Sequence, residues 1–183
     1  MPVVVSMLRG VNLGSHKRVQ MDALRKLYVS LRLRDPRTYV QSGNVIFATD
    51  EKDLAKLAAR IAKGIATRFG FDAGVMLRTA PEMRSVVARN PFAKRKDVEP
   101  GKLLVAFLSG TPARAACAKL LGLEGYPEER HADGRHVYIH YPNGQGRSKF
   151  TWALLEKTLA VSATGRNWNS VTNMLAIAEE LEA

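Results

Sequence analysis

Four short stretches of this chain hold the residues whose chemistry is most specific. The first runs from Arg9 to Arg18 and reads Arg9-Gly10-Val11-Asn12-Leu13-Gly14-Ser15-His16-Lys17-Arg18. Main-chain N–H groups in such a loop, a helix start behind it and cations beside it can together hold a phosphate or a carboxylate. It is not a G-x-x-x-x-G-K-[ST] loop: the glycines are spaced differently, and Ser15 rather than Lys follows the second one. The same composition also serves an ordinary strand-to-helix connection. The second stretch is Asn143-Gly144-Gln145-Gly146-Arg147-Ser148-Lys149. Its glycines let a ligand approach the main chain, Arg147 and Lys149 supply charge, and Ser148 is placed to cap a following helix. The third is Arg166-Asn167-Trp168-Asn169-Ser170. Arg166 can grip an anion with two parallel hydrogen bonds, Asn167 is one of three candidate helix caps, and Trp168 suits the anchor of a final helix. The fourth, Gln41-Ser42-Gly43-Asn44, can hydrogen-bond a ligand through Gln41 and Asn44, although tight turns favour these residues anyway.

Other chemistries find less support. His131, His136 and His140 lie on one hairpin without the companion ligands of a familiar metal spacing, so no metal and no cofactor is expected. His136, Tyr138 and His140 share a strand face, which offers either an exposed stripe for stacking on bases or plain sheet surface. The paired aromatics of an RNA-recognition strand are missing, since Ser42 to Phe47 contains one aromatic. No G-x-S-x-G elbow and no Cys–His pair suggests a nucleophile. Lone Cys117, in an alanine-rich run, reads as a packing residue.

The elements that must position these stretches follow from periodicity. Val3–Leu8 is a short apolar, β-branched run that reads as a buried strand. Leu24, Leu27, Tyr28 and Leu31 form one stripe of a helix beginning near Met21. A hairpin around Ser42-Gly43, a helix from about Asp53 to Phe69 and a strand over residues 73–78 complete a strand–helix–strand–strand–helix–strand series. Thr79 and Glu82 make a capping box for a linker helix. The order then repeats: a strand over residues 103–108, a helix after Thr111-Pro112, a hairpin at Asp133-Gly134, a helix over residues 150–159 and a strand over residues 162–167. A helix burying Val171, Met174, Leu175, Ala178 and Leu181 ends the chain. The expected fold class is α+β: two tandem ferredoxin-like (βαββαβ) units with a linker helix and a C-terminal helix. The expected domains are residues 1–79, a linker over 80–101, and 102–183. In each unit the loop after strand one and the hairpin turn are expected at opposite edges of the sheet. Residues 9–18 and 41–44 should then lie apart, as should residues 143–149 and 166–169.

The 183 residues are 46% hydrophobic and 25% charged, an ordinary globular composition. Net charge is +11, concentrated in residues 1–79, which hold 14 basic against 6 acidic side chains. Such asymmetry suits an anionic partner, and it also suits solubility. No apolar run approaches a membrane span and the N-terminal stretch lacks a secretory pattern, so a cytoplasmic protein without membrane association is expected.

Taken in order, Leu8-Arg9-Gly10-Val11-Asn12-Leu13-Gly14, Tyr39-Val40-Gln41-Ser42-Gly43-Asn44-Val45, Asn90-Pro91-Phe92, Gly146-Arg147-Ser148-Lys149 and Arg166-Asn167-Trp168-Asn169-Ser170-Val171 resemble a bacterial family of unknown function, DUF1697. The resemblance spans nearly the whole chain, with Ser15 where the family usually has a second glycine. It implies a small cytoplasmic protein of two ferredoxin-like α+β subunits and brings no activity, substrate or cofactor. It directs attention to Arg9, Asn12, Gln41, Asn44, Arg147, Lys149, Arg166 and Asn167, to which the loop chemistry adds Lys17 and Ser148. The leading expectation is a non-catalytic module that binds an anionic small molecule or nucleic acid. The alternative is an enzyme acting on a phosphorylated or carboxylated small molecule in a cleft between the halves. A protein-interaction domain using an exposed sheet face is a third reading.

Overall fold

A computed structural model describes residues Met1–Ala183. The elements are β1 (Val3–Arg9), α1 (Met21–Ser30), β2 (Arg34–Tyr39), β3 (Asn44–Ala48), α2 (Leu54–Phe69), β4 (Gly74–Thr79) and α3 (Ala80–Ala88). The series then repeats as β5 (Leu103–Leu108), α4 (Arg114–Leu121), β6 (Glu129–Asp133), β7 (His136–His140), α5 (Trp152–Leu159), β8 (Ala163–Asn167) and α6 (Trp168–Glu182). The fold is α+β, with two four-stranded sheets and two similar units. No helix is long and apolar enough to cross a membrane.

In the first sheet the strand order is β2-β3-β1-β4, and every neighbouring pair is antiparallel. Alternation along β1 sends Val4 and Leu8 toward the helices, where they join Leu24, Leu27, Tyr28, Leu57, Ile61 and Ile65 in one core. The stripe read for α1 is therefore the buried one. Within this core the Ser6 and Tyr28 hydroxyls hydrogen-bond at 2.7 Å, and burial holds the Tyr28 phenol well above its ordinary pKa. Asp53 caps α2 by accepting from the Lys56 N–H at 3.0 Å, and Gly70 ends it in the left-handed conformation at φ 76°. The capping box forms as read. The Thr79 N–H donates to Glu82 Oε2 at 2.8 Å, and the Glu82 N–H to Thr79 Oγ1 at 3.3 Å.

The second sheet has the order β6-β7-β5-β8, again antiparallel throughout. Leu104, Ala106, Leu108, Val137, Ile139, Leu155 and Leu159 form its core. Helix α5 starts later than expected, with Thr151 rather than Ser148 as its cap. The preceding chain makes a short 3-10 turn at Gln145–Arg147, which commits Ser148 elsewhere. Helix α4, after Thr111-Pro112, starts at Arg114 and carries no side-chain cap.

Contacts group Met1–Val87 with Thr172–Ala183, and Ala88–Val171 separately. Residues 88–101 group with the second sheet because Phe92 stacks edge-on with His131 at 5.2 Å and lies 5.9 Å from His140. Over that ring sits Arg95, paired with Asp97 at 2.5 Å and Glu129 at 2.7 Å. The last helix groups with the first sheet from Thr172 onward, and Glu180 pairs with Arg37 of β2 at 2.9 Å.

Candidate functional site

Antiparallel register decides which loops are neighbours. Helix α1 returns the chain to the side where β1 began, so β2 runs parallel in direction to β1 and ends where β1 ends. Thus Met7 lies opposite Asn44, and Asn44 opposite Tyr39. The loop 10–18 and the turn 40–43 therefore share one edge, which corrects the expectation that they lie apart. The error was one of strand direction. The same holds in the second unit, where Leu103 faces His140 and Leu104 faces Asn167. Residues 143–149 and 166–169 leave the sheet at a common edge.

At the first edge Asn12 joins the two loops. Its Oδ1 accepts from the Val19 N–H at 2.8 Å, while Nδ2 donates to the Val19 carbonyl at 3.0 Å and the Gln41 carbonyl at 2.7 Å. Asn12 itself is left-handed, at φ 56°. Asn44 is fully buried at 0% exposure, and its Nδ2 donates to the Tyr39 carbonyl at 3.1 Å and Ser42 Oγ at 2.9 Å. Both asparagines build the edge from within. Arg9, Lys17 and Gln41 stay exposed. Lys17 Nζ donates to the Asp72 carbonyl at 2.9 Å, which draws the α2–β4 connection to the same edge. Leu13, at the loop tip, is 77% exposed. Val40 is left-handed at φ 50°, a genuine outlier for a β-branched residue.

At the second edge Arg147 and Lys149 are exposed on either side of half-buried Ser148. Arg166 is not an outward clamp. It is only 7% exposed, its Nη1 donates to Thr164 Oγ1 and the Gly165 carbonyl at 2.8 Å each, and burial lowers its pKa to about 10. Asn167 caps α6, accepting from the Ser170 N–H at 2.8 Å. The His–Tyr–His face is no exposed stripe either: Tyr138 and His140 are buried, and His136 packs edge-on with Tyr138 at 5.3 Å. No cluster of three or more His, Cys, Asp or Glu side chains stands where a metal could bind.

The sequence reading passed over the residues beneath that second edge. Glu128 is 5% exposed and takes the Ser148 hydroxyl on Oε1, whereas its Oε2 has no partner. The Tyr141 hydroxyl is likewise buried and unpartnered, and its pKa is pushed up to about 12 by burial and then by the Glu128 charge. Arg130 lies over the Phe150 ring at 5.2 Å and donates to the Leu123 carbonyl at 2.7 Å, with Nη1 unpartnered. Only the pairing of Glu129 with His140, which sets Glu128 opposite Tyr141, brings this group together. No local motif announces it.

A profile of the family described as "Protein of unknown function (DUF1697)" matches residues 1–138. A search of curated proteins gave no match. Among solved structures, a conserved bacterial protein from Streptococcus pneumoniae is similar over 97% of this chain and 98% of its own, with a TM-score of 0.77 at 17% identity. That likeness carries the fold. With its match over three quarters of its length, the chain belongs to the DUF1697 family.

Proposed function

We propose that this protein is a cytoplasmic binding module for a phosphate-bearing anionic ligand, taken at the first-unit edge by Arg9, Lys17, Arg18 and Gln41. Each unit is read as ferredoxin-like, a reading supported by the all-antiparallel order second-third-first-fourth. One observation carries the binding proposal. Carboxylates pair with Arg25, Lys26, Arg34, Arg37 and Arg84 in this unit, whereas Lys17 and Arg18 meet none and stand together on the edge loop with exposed Arg9; the unpaired Lys52, Lys56, Lys63 and Arg68 belong instead to helix α2 and the connection before it. Exposed cations held on a loop already fixed by Asn12 lose little freedom on binding, which favours affinity. Arg147 and Lys149 give the second edge similar charge.

Fluorescence anisotropy with a labelled single-stranded oligonucleotide, and calorimetry with inorganic phosphate and a nucleoside triphosphate, test the proposal. Lys17→Ala combined with Arg18→Ala should weaken binding and reduce the salt slope by about 1.4 for the oligonucleotide. Equal binding by the folded double variant and the parent would sink it.

A further inference from the structure

We propose that Ser148 is a nucleophilic hydroxyl with Glu128 as its general base, and that it takes an acyl group from an ester or thioester bearing a phosphate or carboxylate. This activity goes beyond ligand binding at the first-unit edge and depends on a different part of the chain. Four observations place the roles. The Ser148 hydroxyl donates to Glu128 Oε1, so the proton to be removed already points at the base. Glu128 is buried and does not face solvent, where water would screen it. Its Oε2 and the Tyr141 hydroxyl are both buried and unpartnered, so polar capacity is held in reserve beneath the loop. Arg147 and Lys149, exposed and without ion pairs, flank the hydroxyl where the anionic part of a substrate would sit.

The Lys149 N–H, next after the nucleophile, makes no hydrogen bond within the fold. A main-chain donor at that position suits the oxyanion of a tetrahedral intermediate. The Phe150 N–H already donates to Ser148 Oγ at 3.0 Å and fixes the oxygen's position. In the forward step Ser148 Oγ bonds to the acyl carbon while its proton passes to Glu128 Oε1. Collapse breaks the bond to the leaving alcohol or thiol, which takes that proton. Water then attacks the acyl-serine and gives a proton to Glu128. The second collapse releases the carboxylic acid and restores the serine hydroxyl. The Tyr141 phenol keeps its proton through the neutral range, so it acts beside Glu128 as a neutral hydroxyl.

The test is covalent labelling of the full chain with a fluorophosphonate, which bonds to a reactive serine oxygen and expels fluoride. The expected result is one adduct per chain, located on Ser148 by peptide mapping and absent from Ser148→Ala. Labelling of Glu128→Gln should slow by about 100-fold. Glu128→Asp keeps the buried charge but withdraws it from the hydroxyl, and should slow by about tenfold. Thermal melts identify which variants are folded, and the comparison uses those. An adduct at another residue, no adduct on the parent protein, or equal labelling of a folded Glu128 variant would overturn the proposal.

Discussion

Asn12 shows what a single side chain does for the first edge. It makes three hydrogen bonds between residues 12, 19 and 41 while its own backbone is left-handed. Each bond contributes about 1 kcal/mol net, so Asn12→Ala should cost about 3 kcal/mol in denaturant unfolding, with loss of binding to match. Gly43 has the complementary role of leaving space. A Cβ there would sit 2.6 Å from Val11 Cγ2 and 2.9 Å from Leu8 Cβ, at φ 75°. Gly43→Ala should therefore cost at least about 2 kcal/mol in the same measurement, from overpacking and left-handed strain together. The residue types at these positions were legible as turn chemistry. Their facing was not: Arg166 and Asn44 read as ligand contacts because strand position alone does not say which side is buried. Glu128 left no trace, because its partner Ser148 lies 20 positions away and Tyr141, opposite it across the sheet, lies 13 away.

At the level of elements, periodicity and caps were the most legible signals, as Asp53, Thr79 and Glu82 show. What failed was strand direction, which determines shared edges and depends on counting reversals through helices. Residues 88–102 are an element of another kind, held by side chains more than by ladder bonds. Arg95 hydrogen-bonds to Asp97 and Glu129, and the guanidinium lowers the Asp97 pKa to about 2, from an ordinary value of 3.8. Glu129 is lowered by the same guanidinium. A carboxylate depressed in the folded state contributes stability above its unfolded pKa and loses it as pH falls through the folded value. The segment should thus loosen between about pH 4 and pH 2. Asp97→Asn should reproduce part of that loosening at neutral pH. Hydrogen exchange over residues 92–99 should speed up in both cases, while the protection of β5 and β7 persists. Equal exchange in the variant and the parent would leave the anchoring to Phe92 and the Arg95–Glu129 pair, with no part for Asp97.

Across the whole molecule the duplication is closer than the residue identities suggest. Arg78 stands opposite Val5 as Arg166 stands opposite Val105, and both arginines are buried. The next residue in each case, Thr79 or Asn167, caps the following helix through the N–H three positions on. The halves differ in charge rather than plan, since residues 1–79 carry most of the +11. That asymmetry poses the question of whether an anion is drawn by the summed field or by one edge. Lys52 and Lys56 offer a control. They are exposed in the β3–α2 region, at the sheet edge opposite the loop 10–18. Replacing both by alanine removes the same formal charge as replacing Lys17 and Arg18. Contact at the first edge predicts that Lys52→Ala with Lys56→Ala leaves the salt slope of oligonucleotide binding nearly unchanged, while the edge pair lowers it by about 1.4. Equal losses from the two pairs would mean that attraction belongs to the basic half as a whole, and the shaped edge would then have no part in recognition.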